Sequence, residues 1–115
     1  MNMITILKVE PGKFPEIKEI KDEICDLQNE LGGSIEVVYP WPRSSVCLIC
    51  NDEGKLLDLP PNRLLPEIWD VIAGPFFLAG YYHGPDGGEL CSLTPEQLIK
   101  FEARFHEPLP EDIFE

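Results

Sequence analysis

A chain of 115 residues that is 43% hydrophobic is long enough to build one packed core and too short for two domains of ordinary size. Twenty-one acidic residues against nine basic ones give a formal charge of -12, which opposes binding to phosphate backbones and anionic lipid surfaces. A single domain over 1–115 is expected, with no direct nucleic-acid partner and no membrane partner.

The opening Met-Asn-Met-Ile-Thr-Ile-Leu has no basic leader region, and no later apolar run approaches the roughly 20 residues that span a bilayer. A cytoplasmic protein that is not exported is expected. Residues 3–9 are β-branched and stop at Glu10-Pro11-Gly12, which predicts a first strand. From Pro15 to Leu31, apolar residues at Ile17, Ile20, Ile24, Leu27 and Leu31 fall three or four apart, and Gly32-Gly33 follow. That spacing predicts an amphipathic helix over 15–31. Residues 34–39 alternate and 46–50 run apolar into Asn51-Asp-Glu-Gly54, so two central strands joined to a glycine turn are expected. Lys55 to Leu59 reads as a short edge segment, and the prolines of 59–63 predict a fixed loop. Apolar stretches at 69–72 and 76–79 follow, the second continuing through Tyr82 as a strand before a glycine-rich loop, His83 to Glu89. Thr94-Pro95-Glu96-Gln97 places an N-cap, an N1 proline and an N3 glutamine ahead of the stripe Leu98, Phe101, Phe105, which predicts a helix over 95–105. Residues 106–115 read as an acidic surface tail.

The predicted fold is α+β: a mixed, mainly antiparallel sheet of four to five strands, one long amphipathic helix on a face, and a short C-terminal helix capping an end. The aromatic surplus of Trp41, Trp69, Phe76, Phe77, Tyr81 and Tyr82 points to a homo-oligomer.

Little in the chain suggests catalysis. Cys25, Cys47, Cys50 and Cys91 lack a secretion signal and are expected as reduced thiols; Cys47 and Cys50 enclose Leu48-Ile49, so their C-x-x-C sits in a strand with its sulfurs on opposite faces rather than in a metal knuckle. His83 and His106 have no nucleophile partnership, and no glycine-rich phosphate loop occurs. No catalytic residue, metal ligand or cofactor is assigned. Two constellations remain. On a helix over 15–31, Glu19, Asp22, Glu23, Asp26 and Glu30 would share one arc, either a partner surface or a solubilising face. Asn62-Arg63, behind two prolines, with Tyr39, Trp41, Phe76 and Asn51, are the residue types that hold an anion and stack on a base, although the aromatics would serve equally as core and Arg63 as an ion-pair partner.

Met3-Ile-Thr-Ile-Leu-Lys-Val-Glu-Pro-Gly-Lys13, the run at 32–40, Cys50-Asn-Asp-Glu-Gly-Lys55, Leu59-Pro-Pro-Asn-Arg63, Asp70-Val-Ile-Ala-Gly74 with Phe76-Phe77, and Ser92-Leu-Thr-Pro-Glu96 occur in order along the chain. As a set they resemble the domain-of-unknown-function 3846 family. The resemblance implies an accessory protein of phages or other mobile elements, acting in a bacterial host, and transfers no catalytic roles. Two functions are expected from this combination. The first is a non-enzymatic binder that sequesters a small anionic, nucleotide-derived ligand through Arg63 and Asn62. The alternative is an acidic, DNA-mimic-like inhibitor of a basic host defence or regulatory protein, acting through the Glu19 to Glu30 set.

Overall fold

Strands that read as unbroken apolar runs need both faces covered, and the centre of this molecule is built that way. The computed structural model describes residues 3–85 and 87–110; the end of the predicted tail, 111–115, lies outside the described residues. The elements are β1 (Met3–Val9), β2 (Glu16–Lys21), α1 (Ile24–Leu31), β3 (Ile35–Trp41), β4 (Val46–Asn51), β5 (Pro61–Leu65), a short 3-10 helix (Pro66–Ile68), β6 (Asp70–Ala73), β7 (Phe76–Gly84), β8 (Gly87–Cys91) and α2 (Pro95–Phe105). The main sheet has the order β2-β1-β7-β4-β3, with β8 also on β7, and every pairing is antiparallel. β5 and β6 form a separate two-stranded hairpin.

Alternation along the strands sorts the core into two layers. Val46, Leu48 and Cys50 of β4 join Leu7, Val9, Phe76 and Leu78 beneath Phe101 and Phe105 of α2 and Leu65 and Ile72 of the hairpin. Cys47 and Ile49 join Ile4, Ile6, Ile20, Phe77 and Ala79 on the opposite face, beneath Leu27 and Leu31 of α1. The two cysteines of the C-x-x-C therefore lie in different layers, as the strand reading requires.

The α+β class and the antiparallel sheet agree with the sequence reading, but its proportions need correction. Among the described residues the main sheet has six strands, and helix 15–31 does not exist as one element: its first half is β2 and only Ile24–Leu31 is helical. Ile17 and Ile20 mimic a helical stripe, yet in β2 they point to opposite faces, Ile20 buried against the α1 layer and Ile17 exposed. Pairing with β1 decides the matter, placing Ile20 opposite Ile4 and Lys18 opposite Ile6. The predicted loop His83 to Glu89 is mostly the β7–β8 hairpin, with Gly84 opposite Gly87 and Asp86 outside the described residues. The predicted fixed loop at 59–63 enters β5 at Pro61, while 55–58 is a turn rather than an edge strand. α2 covers a face of the sheet instead of capping an end, and its start carries the predicted capping box: Thr94 Oγ1 accepts from the Gln97 amide at 3.1 Å and Gln97 Oε1 from the Thr94 amide at 2.9 Å.

The β1–β2 register also places Lys8 and Lys18 on the face under α1, where both bond Glu30, at 2.8 Å from each ammonium. Burial pushes the Glu30 carboxyl up, but the bonds and charges of Lys18 and Lys8 outweigh it and hold the group below the usual carboxylate range. A carboxyl lowered in the folded state contributes stability that is complete above its unfolded pKa and is lost as pH falls through the lowered value. Glu30→Gln should therefore cost about 1 kcal/mol near neutrality, and the deficit should close in acid; denaturant titrations at a series of pH values check this.

Candidate functional site

Asn62 and Arg63 are only 0% and 3% exposed, and their polar atoms are spent inside the molecule. Asn62 Nδ2 donates to the carbonyls of Val9 and Gly74, both at 2.9 Å, tying the ends of β1 and β6 to β5. Arg63 Nε donates to the Phe105 carbonyl at 3.0 Å, Nη1 to Asn62 O and Oδ1 at 3.0 and 2.9 Å, and Nη2 to the Lys13 carbonyl at 2.6 Å. No carboxylate pairs with the guanidinium among the described residues; desolvation lowers its pKa, with the charge of Glu107 acting the other way. Its charge is compensated by carbonyl dipoles, one of them at the C-terminus of α2, where the helix dipole is negative.

The predicted ligand set consequently does not converge. Phe76 is fully buried in the α2 layer, and Trp41 packs in that layer at 4.7 Å from Phe101 while donating Nε1 to Glu67. Asn51 donates to the Leu31 carbonyl at the end of α1 and accepts from the Glu53 amide, fixing the turn after β4. Tyr39 is exposed, edge-on to Tyr81, which packs with the opposite layer. The acidic set is dispersed too: Glu19 is on β2, Asp22 and Glu23 lie in the β2–α1 connection, and only Asp26 and Glu30 are helical. Glu30 is held by its two lysines. The shared arc vanished with the long helix.

Burial raises the thiol pKa of Cys47 to about 12 and of Cys50 to about 11, Cys91 and Glu36 respectively being the next contributors, so neither is a ready nucleophile. Among the described residues, no group of three or more His, Cys, Asp or Glu side chains is placed to hold a metal, and no helix is long and apolar enough to cross a membrane.

Sequence reasoning named Trp69 only within an aromatic surplus pointing to a homo-oligomer and did not single out the tip of the β5–β6 hairpin. Trp69 follows the 3-10 helix with φ 54°, a left-handed conformation that strains a bulky residue, and it is 96% exposed. Leu64, which lines a cleft with it, and Ile68, its neighbour in the chain, are exposed as well. Lys55 and Asp70 pair between two clefts here. One, of about 210 Å³, lies against Glu36, Val38 and Asn51; the other, of about 430 Å³, is lined by Lys55, Leu64, Pro66, Trp69, Asp70 and Val71. Partial burial pushes the Asp70 carboxyl up, and the Lys55 and Val71 hydrogen bonds outweigh it, holding the group below the usual range. The apolar run at 69–72 was visible in the sequence, but its outward-facing tryptophan depends on a turn geometry that no local motif announces.

Two expectations follow from this geometry. Arg63→Ala should destabilise the fold by about 3 kcal/mol or more, since buried carbonyls of three segments lose a charged donor, and Arg63→Lys should not restore it; urea unfolding measures both. A thiol reagent at mildly alkaline pH should label exposed Cys25 rapidly and Cys47 and Cys50 only at the rate of unfolding, as read by mass spectrometry.

Comparison with curated proteins and with solved structures finds no match. Comparison with protein families matches residues 4–106 to the family described as domain of unknown function (DUF3846). That match spans every strand and both helices apart from the first residue of β1, and the chain belongs to the DUF3846 family.

Proposed function

We propose that this chain is a non-enzymatic accessory protein that acts by occupying a surface of another protein, as an acidic inhibitor or regulator. The observation that carries the reading is Trp69. A nearly fully exposed indole on a left-handed backbone costs the isolated fold twice, in strain and in unburied apolar area. Such an expense is accounted for when a partner covers the ring, because tryptophan is the side chain most enriched among anchors of protein interfaces. Scattered single apolar residues on a surface need no explanation; an indole this exposed, sharing a cleft with exposed Leu64, supports an interaction site.

Nucleotide sequestration through Asn62 and Arg63 would require both side chains to abandon the bonds that join β5 to β1, β6 and α2, so the protein-binding alternative has the stronger support. The family resemblance supports a host protein as the target and a phage or mobile element as the setting. The net charge of -12 favours a basic target.

Trp69→Gly separates function from stability. Glycine relieves the left-handed strain, so the melting temperature should stay level or rise by a few degrees, while affinity for a purified 1:1 partner should fall by more than about 30-fold, the loss expected of an anchor worth about 2 kcal/mol. Calorimetry with an unchanged dissociation constant for a folded Trp69→Gly protein would overturn the reading.

A further inference from the structure

The larger cleft at the hairpin tip has a definite chemistry. Its walls are the apolar surfaces of Leu64, Pro66 and Val71, its outer side is the Trp69 indole, and its charged end is the Lys55–Asp70 pair. Asp70 Oδ1 accepts from both Lys55 and the Val71 amide, whereas Oδ2 makes no hydrogen bond among the described residues. A carboxylate with a free oxygen beside an open indole face is a receptor for an alkyl cation: the stem lies on the apolar wall, the head group over the ring and against the carboxylate.

The charge of the chain segment that carries the cleft points the same way, although its Glu67 is paired with Arg104. Residues 52–74 hold five acids, Asp52, Glu53, Asp58, Glu67 and Asp70, against Lys55 and the buried Arg63. Asp52, Glu53 and Asp58 are exposed and form no ion pair among the described residues, so Lys55 is the one exposed cation of that segment. An approaching cation therefore meets an attractive field, and a second copy of this chain, itself at -12, meets a repulsive one.

Resting on the protein-binding reading, we propose that the partner inserts an arginine side chain into this cleft, stacked on Trp69 and paired with Asp70, in place of Lys55. Arginine suits the site better than lysine because a planar guanidinium stacks on an indole, bonds a carboxylate through two N–H groups and is weakly hydrated. Lys55 serves as the resting occupant that keeps the Asp70 carboxylate compensated until the partner arrives.

The test uses a short peptide alternating arginine and leucine, and the same peptide with citrulline for arginine, titrated at low salt by calorimetry and by the change in tryptophan emission between native and Trp69→Gly protein. The arginine peptide should bind about tenfold or more tightly than the citrulline peptide, and raised salt should weaken it. Asp70→Asn, which keeps an acceptor for the Val71 amide, should remove the preference, and Lys55→Gln should tighten arginine-peptide binding several-fold by removing the competitor. Equal binding of the two peptides, with no effect of Asp70→Asn or Lys55→Gln, would overturn the arginine assignment and leave the apolar tip as an anchor. Binding of neither peptide by a protein that sediments as a monomer would overturn both. A dimer abolished by Trp69→Gly would make the tip a self-association surface and also sink the proposal.

Discussion

A buried guanidinium that bonds only carbonyl groups holds this structure in register. Arg63 connects the loop after β1, the strand β5 and the last carbonyl of α2, three segments that make no sheet with one another. Asn62 extends the network to the ends of β1 and β6. A cation removed from water is tolerable only when its donors find acceptors, and here they are backbone carbonyls of the loop after β1, of β5 and of the end of α2, joined by the Asn62 side-chain oxygen. The hairpin is thereby fastened at its base, and its tip is left to project.

That division between a fixed base and an exposed tip separates the stabilising chemistry from the candidate functional chemistry. The inward side of the hairpin gives Leu65 and Ile72 to the α2 layer, while Leu64 on the alternate face joins Trp69 outside. Strand alternation separates Leu64 from Leu65, and the left-handed turn after the 3-10 helix sets Trp69 outside. The polar residues that looked most like a binding site belong to the base, while Trp69, which the sequence offered only as one of several surplus aromatics, stands exposed at the tip.

How much was legible follows from the range of the interactions. The start of α2 was readable because the capping box is closed by residues three apart, and β4 because Val46 to Cys50 is buried on both faces. β2 was misread because Ile17, Ile20 and Ile24 fit a helical stripe and only its register with β1 contradicts that. Arg63 was noticed as a residue type, but its partners lie 42 and 50 positions away at Phe105 and Lys13, beyond anything a local pattern encodes. For Trp69 the sequence shows an apolar residue before Asp70 and nothing of the backbone conformation that turns it outward.

The placement of β7 has a consequence for how the chain reaches this state. β1 with β2 and β3 with β4 are hairpins that can close as soon as they are made, yet they never pair with each other; β7 lies between β1 and β4 and bonds to both. A nascent chain that has emerged only through the hairpin tip would hold two ribbons with unpaired inner edges, the arrangement that invites pairing with another chain. Adding Phe76 to Gly80 closes both edges at once. The sheet can thus become continuous only once β7 has been made, and the strand that unites its halves begins with five buried residues, Phe76 to Gly80.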